Sequence, residues 1–97
     1  MRVIAVSTMR EFWDIHPQAE VPLRAWYAEA SRAEWKTPAA IKAAHRNASF
    51  LANNRVVFNI KGNDYRLVVV VHYNTRIMFI RFVGTHAEYD EINAEEV

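Results

Sequence analysis

Apolar residues recur at helical spacing through the first half of the chain and in strand-length runs through the second, so the pattern predicts helices first and a sheet after them. Arg2 to Val6 reads as a short strand. Thr8 with Glu11 has the form of a capping box opening a helix through Met9, Phe12 and Trp13, which His16-Pro17 closes. Leu23, Trp26, Tyr27 and Ala30 follow at i, i+3, i+4 and i+7, predicting a second helix with this face in the core and Pro22 tolerated in its first turn. Thr37-Pro38 starts a short third helix carrying Ile41, Lys42 and His45, and Arg46 to Arg55 is a polar connector.

From Val56 the pattern changes to β-branched and aromatic residues, broken at Gly62-Asn63 and at Asn74-Thr75, which predicts a three-stranded antiparallel meander. Two-residue loops at both breaks set Asn59 opposite Arg66, Lys61 opposite Asp64, Val68 opposite Arg81 and Arg66 opposite Val83. Strict alternation then gives one face Phe58, Ile60, Leu67, Val69, Val71, Ile80 and Phe82, the face expected to pack on the helices. The other face carries Val57, Asn59, Lys61, Arg66, Val68, Arg81 and Val83, and a one-residue slip would break the arrangement. Thr85-His86-Ala87-Glu88 is a further capping box, predicting a short C-terminal helix at the edge of the sheet. The fold class is α+β.

With 97 residues, one domain over 1–97 is expected. Hydrophobic residues at 52% and charged residues at 24% fit a globular chain and exclude a disordered one. The longest apolar run, Leu67 to Val71, is far short of a membrane span. The N-terminal residues lack an export signal, so a cytoplasmic location is expected. Without cysteine there is neither a disulfide framework nor a thiolate zinc site, and with two glycines no phosphate loop. Net charge is only +1, but its distribution is uneven. Between Arg55 and Phe82 stand Arg55, Lys61, Arg66, Arg76 and Arg81 against Asp64 alone; from Thr85 onward every charged residue is acidic. Such a basic sheet beside an acidic tail can offer one surface to phosphate.

Arg66 and Arg81 are the leading candidates for chemistry, because a guanidinium matches phosphate oxygens bidentately and keeps its charge. Pairing with Asp64 or Glu88 is the structural alternative. His86, Tyr89 and Asp90, at i, i+3 and i+4, share one helical face; His can act as general acid or base, and Tyr can donate to phosphate or stack on a base. The alternative for each is packing at the sheet–helix junction. His86 and Asp90 are too few to hold a metal, and no metal or cofactor is expected. Lys42 could add a phosphate contact or be a solvated lysine. Trp13 and Trp26 read as core, Trp35 as core or stacking platform, and His16, His45 and His72 form no constellation.

Phe12-Trp13, His16-Pro17, Trp26-Tyr27, Trp35 with Ile41-Lys42, Val57 to Leu67, and Ile80 to Asp90 together resemble the HigB branch of the RelE-like toxins. The resemblance implies a compact RelE-like fold, with an N-terminal strand and two to three helices packed on a curved antiparallel sheet and a short C-terminal helix. It implies a ribosome-dependent mRNA endonuclease that acts in the A site without a metal, by 2′-oxygen attack on the adjacent phosphate. Its partners would be mRNA on the ribosome and a helix-turn-helix antitoxin of the HigA type, with operator DNA reached only through the antitoxin complex. On matching positions, Arg66 and Arg81 would clamp the phosphate, Lys61 would assist by charge, and His86 or Tyr89 would orient the 2′-hydroxyl or move its proton. Asn59, with Lys42 and Asp90, would position substrate. Two alternatives stay open: a gyrase-poisoning toxin of the ParE kind, and a non-catalytic RNA- or ribosome-binding module on the same basic face.

Overall fold

The first helix opens on a backbone turn, not on a side-chain cap. In the computed structural model, which describes all residues Met1–Val97, strand β1 covers Arg2–Ile4 and Ala5 then adopts a left-handed conformation, φ 68°. That geometry costs a non-glycine residue about 1 kcal/mol, and it sends the chain directly into helix α1, Val6–Ile15. Thr8 and Glu11 consequently lie inside the helix and the N-cap makes no side-chain hydrogen bond, which corrects the expected capping box. Met9, Phe12 and Trp13 are buried as expected, and His16 closes the helix by donating its N–H to the Phe12 carbonyl at 2.8 Å.

A 3-10 turn, Pro17–Ala19, leads into α2, Glu20–Arg32, with Pro22 in the first turn, where no N–H partner is lost. Leu23, Trp26 and Ala30 are buried, but Tyr27 is 37% exposed, so the buried stripe is narrower than the spacing implies. Helix α3, Pro38–Ala44, is capped by Thr37, whose Oγ1 accepts from the Ala40 N–H at 3.2 Å. His45 is the C-cap rather than a helical residue, and its ring meets Trp35 and Phe58 edge-on. Trp35 is buried and stacks on Phe58, which makes it a core residue.

The connector holds one more element than expected. Ser49–Phe50 forms a two-residue strand, β2, paired antiparallel with β3, Arg55–Ile60. Strands β4, Tyr65–His72, and β5, Ile77–Thr85, complete the meander. The sheet order is β1-β5-β4-β3-β2 with β1 parallel to β5, so the sheet is mixed rather than wholly antiparallel. Both hairpin loops are four residues long, Lys61 to Asp64 and Tyr73 to Arg76, because Lys61, Gly62 and Arg76 turn left-handed. Lys61 is therefore a turn residue and not part of a strand face.

The β3–β4 register is as expected, with Asn59 opposite Arg66. The β4–β5 register is as expected only from His72–Ile77 to Val69–Ile80. There the ladder skips Arg81: Val68 pairs with Phe82, Leu67 with Val83 and Arg66 with Gly84. This β-bulge corrects the predicted pairs Val68–Arg81 and Arg66–Val83, and it exchanges the faces of the next two residues. Val83 packs with the helices, while Phe82 joins the opposite face.

The main core lies between the helices and the sheet face formed by Val56, Phe58, Ile60, Tyr65, Leu67, Val69, Val71, Met78 and Ile80. A smaller core lies on the other face. Val57 and Val68, at 3% and 0% exposure, are covered there by Phe82, Tyr89, Ile92 and Ala94. Covering two valines stabilises by roughly 1.5–3 kcal/mol each, enough to hold the segment after α4, His86–Asp90, against the sheet. Side chains also latch it: Asn53 Nδ2 donates to the Glu95 carbonyl at 3.2 Å and Arg55 Nη2 to the Val97 carbonyl at 2.6 Å. No helix is long and apolar enough to cross a membrane.

Candidate phosphate-binding site at the end of the sheet

Strand β5 passes without a loop into α4, because Thr85 is both the last strand residue and the helix N-cap. Its Oγ1 accepts from the Glu88 N–H at 3.2 Å, and the Glu88 carboxylate accepts from the Thr85 N–H at 2.8 Å, the expected capping box. The Thr85 N–H holds the Glu88 carboxyl below its ordinary value of 4.5. The hairpin turn is tied to the same corner, since the His86 N–H donates to the Asp64 carbonyl at 3.3 Å. His86 is thus fixed two residues beyond Gly84, the register partner of Arg66.

Arg66 stands on the face away from the helices, its Nη1 donating to the Asn63 carbonyl at 3.0 Å. Its guanidinium carbon lies 6.0 Å from the centre of the Tyr89 ring, at the limit of a cation–π contact. Arg81 is exposed at the bulge, and alternation from the inward Ile80 turns it to the same face as Arg66. The register sets the two Cα atoms on the order of 9 Å apart across Val68. Neither arginine forms an ion pair. The acids that could have neutralised them are engaged: Asp64 with Lys61 at 3.0 Å, and Glu88 in the cap. Two cations sharing a face without acids form a place where an anion is favoured.

The remaining candidates divide. His86 Nδ1 lies 3.1 Å from Asp90 Oδ2, so the helical face expected of them exists, and Asp90 can orient the imidazole. Tyr89 packs against the cluster of Val57, Val68 and Ala94 and keeps part of its surface open beside Arg66. Asn59 is half-buried opposite Arg66. Lys61 is spent on Asp64, whose hydrogen bond and charge raise its pKa above the ordinary 10.5, and it serves as a fixed charge at the turn. Lys42 belongs to the helix layer on the other side of the sheet, its amine donating to the Ala48 carbonyl at 2.9 Å. It is not brought to the arginines. His16 stacks on Phe12 and tilts against Tyr65, while His72 packs on Phe79. No three His, Asp or Glu side chains converge in a way that would hold a metal ion.

Sequence reasoning misses Phe82, whose ring crosses Gly84 on the site face, and the segment Ile92 to Glu95, which walls the site on the far side of Tyr89. Period-two alternation has no sign for a skipped residue, so it assigns Phe82 inward. The run of acids after Thr85 gives no hint that Ile92 and Ala94 fold back on the sheet.

Comparison with known proteins places the chain in a family. The sequence profile of the HigB toxins, described as the RelE-like toxic component of a toxin-antitoxin system, matches residues 19–92. A protein of Escherichia coli K12 named mRNA interferase toxin HigB is 30% identical over 97 residues, covering 97% of this chain and 92% of its own length. The mRNA interferase HigB of Shigella flexneri matches to the same extent. A further mRNA interferase HigB, from Escherichia coli O6:H1, is 23% identical over 94 residues, covering 95% of this chain and 91% of the relative. The chain belongs to the HigB family, the RelE-like toxic components of toxin–antitoxin systems.

Proposed function

We propose that residues 1–97 act as one toxin domain, an endoribonuclease that cleaves mRNA in the ribosomal A site and so stops translation. The observation that carries this reading is the pair Arg66 and Arg81, left without acids on one sheet face beside Tyr89 and the His86–Asp90 pair. The names of the relatives, mRNA interferases, support the same activity.

In the proposed reaction the two guanidiniums hold the scissile phosphate and stabilise the charge that grows on its non-bridging oxygens. The 2′-oxygen of the preceding ribose attacks phosphorus and the bond to the 5′-oxygen breaks, leaving a 2′,3′-cyclic phosphate and a 5′-hydroxyl. One proton leaves the 2′-hydroxyl and one reaches the departing 5′-oxygen. His86, oriented by Asp90, is the group suited to move a proton near neutral pH, and Tyr89 positions the nucleotide. Asn59 assists in positioning and Lys61 contributes charge; the reaction so written calls on no metal or cofactor. The toxin acts in the cytoplasm, where an antitoxin of the helix-turn-helix HigA type restrains it and carries it to operator DNA.

The test is end-labelled mRNA, free and on programmed ribosomes, incubated with the wild type and with Arg66→Ala and Arg81→Ala. Cleavage on ribosomes that both variants lose is the expected result. A folded wild type that cuts nothing would remove the endonuclease reading and leave a gyrase-directed or binding-only toxin.

A further inference from the structure

Beyond the arginines, on the other side of Tyr89, the surface dips into a shallow, open concavity of about 430 Å³ lined by Leu51, Tyr89, Asp90, Ile92, Asn93 and Ala94 with Glu95. Separate parts of the chain build and fasten it. Leu51 comes from the loop after β2, Ala94 is buried against Val57 and Val68, and the stretch that forms the floor is latched from below by Asn53 and Arg55. A second turn is closed by Asn93 itself, whose Oδ1 accepts from the Glu95 N–H at 3.1 Å. The charged residues on its rim are acidic, the opposite of the arginine surface one ring away.

From this juxtaposition we infer that the concavity is the base-recognition subsite of the toxin, taking the nucleobase next to the phosphate held by Arg66 and preferring bases with amino groups, guanine first, over uracil. The inference rests on the proposed cleavage of RNA. Its geometry is that of a nucleotide: Tyr89 is shared, set 6.0 Å from the Arg66 guanidinium carbon and forming one wall of the concavity, so phosphate and base can be bound on adjoining surfaces. The walls offer an aromatic ring and the apolar side chains of Leu51 and Ile92, which suit a flat π-system.

The rim supplies the selectivity. Ionised carboxylates only accept hydrogen bonds. Asp90 gives one oxygen to His86, and Glu95 forms no ion pair, so acceptor capacity remains at both. The Watson–Crick edge of guanine presents two adjacent donors, N1–H and the 2-amino group, and those of adenine and cytosine one amino group each. Uracil presents a single N–H between two carbonyl oxygens, which would face the carboxylates. Single-stranded RNA is read on such edges once its bases are splayed out. Acidic walls also disfavour a phosphate in the concavity and favour it at Arg66 and Arg81.

Guanosine and uridine 3′-monophosphates, titrated into the isotope-labelled protein and followed by amide chemical shifts, test this without requiring cleavage. The guanosine nucleotide should move Leu51, Ile92, Asn93 and Ala94 together with Arg66, and bind about tenfold more tightly than the uridine nucleotide, the discrimination expected of one good bidentate edge contact. Leu51→Trp, which fills the concavity, and Glu95→Gln, which changes no packing, should each bring the two affinities together. Shifts confined to Arg66 and Arg81, or equal affinities in the wild type, would overturn the subsite while leaving the cleavage reading standing. A preference that survives both variants would overturn it as well.

Discussion

The β4–β5 hairpin contains two stretches that follow different rules. From Val69 to His72, paired with Ile80 back to Ile77, the ladder is regular: Val69, Val71, Met78 and Ile80 all point to the helices and all are buried. From Tyr65 to Val68, paired with Thr85 back to Phe82, the partner strand has gained a residue. Beyond that residue Phe82 faces away from the helices, a glycine stands opposite Arg66, and the strand runs straight into a capped helix. The difference is that one inserted position, Arg81, separates a stretch that stabilises from the stretch that gathers the candidate site. A bulge bends and twists its strand and re-aims the side chains beyond it, so the site end can be shaped without disturbing the core end.

Substitutions on the two sides of the bulge should separate rate from stability. The largest effect is expected at the bulge itself. Arg81→Ala removes an exposed guanidinium with no ion pair, so its melting temperature should match the wild type within about 0.5 kcal/mol of stability. Its single-turnover cleavage should fall by roughly two to three orders of magnitude, the loss seen when one donor to a developing oxyanion is removed. Met78→Ala, in the regular stretch, should do the reverse. Met78 is fully buried, and its truncation should cost about 3 kcal/mol in denaturant unfolding, with the rate per folded molecule unchanged. If Met78→Ala slowed the folded enzyme as much as Arg81→Ala, the two stretches would be one unit and the separation would not exist.

Gly84→Ala sharpens the comparison at smaller cost. A Cβ there would run into Phe82 Cζ, lie 2.8 Å from Phe82 Cε2 and come within 3.2 Å of Glu88 Cβ. The Phe82 ring has to swing aside, an overpacking cost of about 1 kcal/mol, the low end because the end of a side chain can give. That movement disturbs the sheet face that Phe82 shares with Tyr89, so cleavage should slow several-fold with nucleotide binding more affected than the stability suggests.

These particulars also mark what can be read from the chain. The α+β class, the α2 core residues Leu23, Trp26 and Ala30, the Thr37 and Thr85 caps and the Asn59–Arg66 pairing are all legible, because each is set by spacing or by a cap within a few residues. Three features are not. The left-handed Ala5 carries no residue-type signal, since alanine is an unusual choice for that conformation, so the pattern starts α1 at Thr8 instead. The bulge is invisible because Phe82 and Val83 are both apolar and either could face inward. Spacing puts Lys61 on the strand because a four-residue loop and a two-residue loop around Gly62-Asn63 leave the same register. Of the candidate site, Arg66, Arg81, Tyr89 and the His86–Asp90 pair are nominated by residue chemistry. The proposed concavity's Leu51, Ile92 and Asn93 are not, because they meet only when the last segment folds over the sheet.

The smallest effect belongs to the cap that joins β5 to α4. Thr85→Ala deletes the oxygen that accepts from the Glu88 N–H and should cost about 1 kcal/mol at any pH where the helix is capped. Glu88→Gln separates the charge from the geometry. The Thr85 N–H depresses the Glu88 carboxyl in the folded protein, so the folded state resists protonation more than the unfolded chain does. This contribution is complete above the ordinary 4.5 and disappears as pH falls through the lowered folded value. Gln keeps an amide oxygen for the Thr85 N–H but has no proton to gain, so its stability should fall less steeply than that of the wild type in the acid range. Because Glu88 lies on the solvent side, the difference will be small and weaker in high salt. Parallel acid limbs for the wild type and Glu88→Gln would mean that the carboxylate's charge does not hold α4 in place, and that the Thr85 cap and the backbone link from His86 to Asp64 orient the residues beside the arginines without it.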